Sequence, residues 1–129
     1  MLLEVYGCDA SVLNDTGRIK DILTKAALMA GAHIVTTAFH KFNPHGVSGV
    51  VIIAESHFSI HTWPEHGYAA IDIFTCGEGL KPGIACEYMK MQLKSSNSTL
   101  VEMKRGIISE GYKQPEFRFQ EKEALACKS

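Results

Sequence analysis

Val50-Val51-Ile52-Ile53-Ala54-Glu55-Ser56-His57-Phe58-Ser59-Ile60-His61-Thr62-Trp63-Pro64-Glu65 begins as a plain apolar strand and turns polar where a buried strand would be expected to continue. From Ala54 to Glu65 it carries two carboxylates, two histidines, three hydroxyl side chains and the only tryptophan. Buried polar side chains are costly unless partnered, and a chain of 129 residues has little stability to spare. The polar half therefore reads as the working part of the molecule, and the elements around it as its frame.

Upstream, Val47 to Ala54 is mostly apolar, which suits a central strand, and Asn43-Pro44-His45-Gly46 joins it as a hairpin to the β-branched and aromatic run His33 to Phe42. Downstream, Phe58 to Trp63 and Tyr68 to Thr75 read as a second strand pair turning at Pro64-Glu65-His66-Gly67. Farther out, Leu2 to Cys8 is a short strand entered so early that the N-terminus looks clipped. Asn14 is a suitable N-cap for a helix whose apolar stripe is Ile19, Ile22, Leu23, Ala26, Ala27 and Ala30, ended by Gly31. Gly77, Gly79 and Pro82-Gly83 mark a loop without the GxGxxG spacing of a phosphate cradle. Ile84 to Leu93 suits a second helix, Ser95 to Ser98 a polar connection and Thr99 to Lys104 a last strand. The expected fold is an α+β two-layer sandwich, an antiparallel sheet with two helices on one face. Residues 1–106 form its domain, and 107–129 a loosely ordered polar tail.

Composition narrows the function classes. Formal net charge is −1, with both signs interspersed, which argues against a nucleic-acid binder that relies on a broad basic face. No basic n-region opens the chain, and no apolar run approaches the ~20 residues of a membrane span. Cys8, Cys76, Cys86 and Cys127 show no CxxC or zinc-ribbon spacing and read as thiols in a reducing cytoplasm.

Taken singly, the chemically interesting residues have plain structural readings. His57 and His61 have zinc spacing only on a helix; on a strand they share a face but lie ~13 Å apart, so no metal site is expected. Cys76 alone reads as a buried apolar thiol, and Trp63 and Phe42 alone as core. Together they say more. The segments Tyr6-Gly7-Cys8-Asp9, Phe39-His40-Lys41-Phe42, Gly46-Val47-Ser48-Gly49-Val50-Val51, Ala54-Glu55-Ser56-His57, Ile60-His61-Thr62-Trp63-Pro64-Glu65, Gly67-Tyr68-Ala69-Ala70 and Phe74-Thr75-Cys76-Gly77 occur in this order. In them the chain resembles the small prokaryotic S-adenosylmethionine decarboxylases over roughly residues 2 to 106.

The resemblance implies a proenzyme that cuts itself at Glu55-Ser56 into residues 1–55 and 56–129 and turns Ser56 into a pyruvoyl cofactor. A serine hydroxyl beside a strained peptide can attack the preceding carbonyl to give an ester; β-elimination and loss of ammonia then leave the pyruvoyl group. These steps need a proton acceptor and an oxyanion donor, roles that the resemblance gives to His61 and Ser48. The pyruvoyl ketone would form a Schiff base with the substrate amine and act as the electron sink as CO2 leaves. Cys76 would reprotonate the carbon as general acid, a task suited to a thiol, whose reference pKa is ~8.5. Phe42 and Trp63 are the matching adenine contacts and Glu65 the matching ribose contact. The product would be the aminopropyl donor for spermidine synthesis.

Strand geometry adds an expectation about assembly. If Ser48 to Ser56 is one strand, the two serines lie ~26 Å apart, and Ser56 and His61 ~16 Å apart. A two-fold homodimer with shared active sites resolves this, one protomer giving Ser56 and Cys76 and its partner Ser48, His61, Phe42 and Glu65. The Leu-Gly-Arg-His segment usual before the first strand has no counterpart here, and His45 stands where other side chains are common. Two other functions stay open: a same-fold pyruvoyl decarboxylase of another amino acid such as arginine, and a non-catalytic small-molecule-binding domain.

Overall fold

The computed structural model describes residues 1–76 and 78–106; Gly77 and the expected tail 107–129 lie outside the described residues. Six strands form one antiparallel sheet: β1 (Leu2–Tyr6), β2 (Ile34–Lys41), β3 (Val47–Ile53), β4 (Ser56–Trp63), β5 (Tyr68–Thr75) and β6 (Asn97–Val101). Their spatial order is β2-β3-β4-β5-β1-β6. Helices α1 (Ala10–Leu13), α2 (Thr16–Met29) and α3 (Pro82–Gln92) form the second layer. The expected α+β two-layer sandwich is what the chain adopts, with three helices among the described residues in place of two.

The alternation of the strands fixes the two faces. Val47, Val51 and Ile53 on β3, Phe58 and Ile60 on β4 and Ile71 and Ile73 on β5 are buried. They share one core with Ile19, Leu23 and Ala26 of α2 and Ala85 and Met89 of α3. The intervening positions, among them Ser48, Ile52, His57, His61, Trp63 and Asp72, lie on the opposite face, which carries no helix among the described residues. Gly49 interrupts the apolar run of β3 because the Phe39 ring of β2 lies across it; an added Cβ would stand 2.1 Å from that ring.

The last strand lies at Asn97–Val101 rather than Thr99 to Lys104, and two further boundaries differ from the sequence expectation. Asn14 caps the C-terminal end of α1 rather than starting the long helix. Asp15 caps α2 instead, its carboxylate accepting from Arg18 N–H at 3.0 Å, and Asn14 is free to accept from Gly46 N–H at 3.0 Å. The second difference bears on function. The apolar run does not continue through Ala54 into a longer strand; Ala54-Glu55 is a two-residue turn, and β4 starts at Ser56, paired with Ile53. Ser48 and Ser56 are therefore on adjacent strands rather than on one, which shortens the ~26 Å expectation to ~16 Å at five residues of rise.

Candidate active site

The hairpin of β3 and β4 divides the expected site residues between its two ends. At the turn, Ser56 is held at φ 148°, a conformation that costs a residue with a Cβ ~1–3 kcal/mol. Its neighbours over-determine that geometry. The Glu55 carbonyl accepts from Cys76 N–H at 2.8 Å, and Ser56 pairs in register with Thr75 of β5. The Glu55 carboxylate is gripped twice by His33, from backbone N–H at 3.2 Å and from Nδ1 at 2.7 Å. That grip holds the Glu55 carboxyl below the usual carboxylate range. The Glu55-Ser56 peptide thus sits on a strained, clamped corner with a backbone N–H on its carbonyl oxygen.

At the far end, Ser48 pairs in register with His61, and Ser48 Oγ lies 2.7 Å from His61 Nδ1. A cavity of about 420 Å³ opens beside them, lined by Phe42, Ser48, His61, Trp63 and Glu65 together with His45. Its volume falls in the range of small-molecule sites. Five residues picked from three separate sequence motifs thus line one pocket. Trp63 stacks on Tyr68 (ring centroids 5.2 Å) and Tyr68 on Tyr6 (5.4 Å), so an aromatic row runs from the helix-free face into the cavity. Tyr68 donates to Glu4, which pushes its phenol up to about 12. Glu65 accepts from His45 Nε2 at 3.0 Å, so the divergent His45 orients the carboxylate assigned to substrate binding.

Ser56 and His61 belong to the same strand with unbroken register, five residues and ~16 Å apart. Neither Ser48 nor His61 reaches Ser56 of its own chain. The contacts that do were missed in the sequence. His57 Nδ1 lies 3.4 Å from Ser56 Oγ, and His57 Nε2 lies 3.2 Å from Asp72 Oδ2. An acid standing alone in the apolar run Ala69 to Phe74 was the available signal for Asp72. His33 and the Cys76 N–H gave none, because both act through the fold of the turn.

Among the described cysteines, burial pushes Cys8 up to about 11 and raises Cys86, while Cys76 is exposed. A thiol at about 11 holds ~100-fold less thiolate at pH 8 than one at 9. Brief iodoacetamide treatment followed by peptide mass mapping is expected to label Cys76 at least tenfold faster than Cys8 or Cys86. Among the described residues no group of three or more His, Cys, Asp or Glu is placed to hold a metal ion, and no helix is long and apolar enough to cross a membrane.

Comparison with known proteins identifies the family. A family model described as S-adenosylmethionine decarboxylase matches residues 1–106. The S-adenosylmethionine decarboxylase proenzyme of Acetivibrio thermocellus is 53% identical over 113 residues, covering 88% of this chain and 91% of that protein. The proenzyme of the same name from Clostridium kluyveri is 53% identical over 110 residues, 85% and 87% of the two chains. The crystal structure of the adenosylmethionine decarboxylase from Aquifex aeolicus superposes with a TM-score of 0.78 at 38% identity, covering 88% of this chain and 93% of that one. Matched in sequence over residues 1–106 and in structure over most of its length, the chain belongs to the S-adenosylmethionine decarboxylase family.

Proposed function

We propose that this chain cuts itself between Glu55 and Ser56, converts Ser56 into a pyruvoyl group, and with it decarboxylates S-adenosylmethionine in a cytoplasmic homodimer. The observation that carries the reading is the corner at residues 55 and 56. Ser56 stands at φ 148° next to a carbonyl whose oxygen already accepts the Cys76 N–H at 2.8 Å. That donor is suited to the oxyanion formed when Ser56 Oγ adds to the carbonyl carbon. Cutting removes the φ angle of residue 56 altogether and so relieves the strain.

The surroundings of residue 56 fit a pyruvoyl group: it is partly exposed at a strand end, beside Cys76, with its hydroxyl 3.4 Å from Nδ1 of His57. Once formed, the group supplies the electron sink that lets CO2 leave the substrate. The chain's own residues supply the rest. Cys76 delivers a proton to the decarboxylated carbon, Phe42 and Trp63 enclose the adenine, and Glu65, steadied by His45, takes the ribose hydroxyls.

The ~16 Å between the two ends of the hairpin is the argument for a dimer. A two-fold axis through the middle of the helix-free face sets the Ser56 end of one chain against the cavity of its partner. The partner's Ser48 and the partner's His61 then serve the α-proton removal that follows ester formation. Leu2, Tyr6, Ile52 and Trp63, each at least 40% exposed, supply apolar surface for that contact. The names of the relatives favour S-adenosylmethionine over arginine as substrate.

Intact mass and CO2 release test the reading. Incubation should yield residues 1–55 and a blocked 56–129, with CO2 released from S-adenosylmethionine and not from arginine. An uncut chain, inactive with both, would overturn it in favour of a binding domain.

A further inference from the structure

Self-cleavage makes two separate demands on a base. Ser56 Oγ must lose its proton to attack, and the ester formed must later lose its α-proton. Within one chain His61 lies too far from Ser56 for the first, engaged instead with Ser48 at 2.7 Å. Resting on the self-cleavage reading above, we propose that His57 is the catalytic base for the first step and that Asp72 is the residue that positions it.

The geometry forms a relay across two strands. His57 Nε2 donates to Asp72 Oδ2 at 3.2 Å, and a carboxylate, being an acceptor only, fixes the proton on Nε2. Nδ1 is then left with its lone pair, 3.4 Å from Ser56 Oγ, a separation within the looseness usual before reaction. The imidazole is held from a further side by Phe74, ring centroids 5.9 Å apart. Both His57 and Asp72 are about one-third exposed, on the helix-free face, so the relay faces outward beside the turn.

The step balances without a co-reactant. The Ser56 hydroxyl proton passes to His57 Nδ1 as the Oγ–C bond forms at Glu55, and the carbonyl electron pair moves to the oxygen held by Cys76 N–H. Collapse breaks the C–N bond, and His57 returns the proton to the Ser56 nitrogen. The outcome is a neutral acyl shift from nitrogen to oxygen, an ester at Ser56 with a free α-amine. His57 ends the step in the protonation state in which it began.

Cell-free synthesis followed by a timed chase on denaturing gels measures the step directly. His57→Ala should slow appearance of the two fragments by at least ~100-fold, the contribution of one general base, and added imidazole should restore part of the rate. Hydroxylamine, which cuts esters, should release no fragments from the stalled His57→Ala chain, whereas the stalled His61→Ala chain should be cut at residue 55. Asp72→Asn keeps a hydrogen-bonding group of the same size but can hold the proton on Nδ1, so it too should slow cutting by ~10–100-fold without lowering Tm. His57→Gln provides the second variant should His57→Ala fail to fold. Cutting of the folded His57 variants at the parent rate, or an ester trapped in them, would overturn the assignment. Fragments released from Ser56→Ala would instead overturn the self-cleavage reading itself.

Discussion

Ser56→Ala is expected to leave the chain whole and to abolish decarboxylation, with a loss of at least ~10⁴-fold in CO2 release. The argument is one of chemical identity. The substitution removes the only oxygen that can add to the Glu55 carbonyl from the strained corner, so neither ester nor pyruvoyl group arises. Without that group nothing stabilises the electron pair left when CO2 departs, and an interaction made only in the transition state is lost in full. The fold should survive, because among the described residues Ser56 Oγ is engaged only with His57, while the six pairs joining β3 and β4 are backbone. A denaturing gel, circular dichroism and a CO2 assay on one preparation are sufficient. A folded Ser56→Ala chain with parent activity would end the pyruvoyl reading.

Cys76→Ala is expected to separate the two reactions. Cys76 enters the cutting geometry through its backbone N–H, 2.8 Å from the Glu55 oxygen, and alanine supplies the same donor. Cutting should therefore proceed within a few-fold of the parent rate. The thiol is the proposed proton donor to the decarboxylated carbon, and loss of one positioned general acid costs ~10²–10⁴-fold. The readouts are the fragment time course for cutting and kcat for CO2 release from fully cut protein. An unchanged kcat would remove Cys76 from the proposed mechanism; an uncut chain would show that its side chain acts earlier.

Much of this architecture was legible because the periodicities are strong. The apolar stripe from Ile19 to Ala27 and the alternation through Phe58, Ile60 and Thr62 each admit one reading, and the helix and strand are where that reading put them. Thr62 shows how far such a pattern carries. It is the one buried polar residue on its strand, and it is partnered twice, donating to Leu13 O at 2.8 Å and accepting from Val47 N–H at 2.9 Å. The turn at Ala54-Glu55 was not legible, since neither residue is a turn former and the bend is imposed by pairing on both sides and by His33. The same holds for the site. Phe42, Ser48, His61, Trp63 and Glu65, quoted from three motifs, line one cavity. The relay of His57 and Asp72 depends on a register between β4 and β5 that no local pattern reports.

The strand order has a consequence for the protein after cutting. A break between residues 55 and 56 assigns β1, β2 and β3 to one fragment and β4, β5 and β6 to the other. Across the sheet, β2-β3-β4-β5-β1-β6, ownership then reads first, first, second, second, first, second. The first fragment's β1 is seated between β5 and β6 of the second, and its β3 borders β4. The halves are interlaced, with three strand-to-strand seams between them and a shared core beneath. The proposed cut would open a two-residue hairpin and separate nothing, so the new chain end would stay anchored beside the groups that made it.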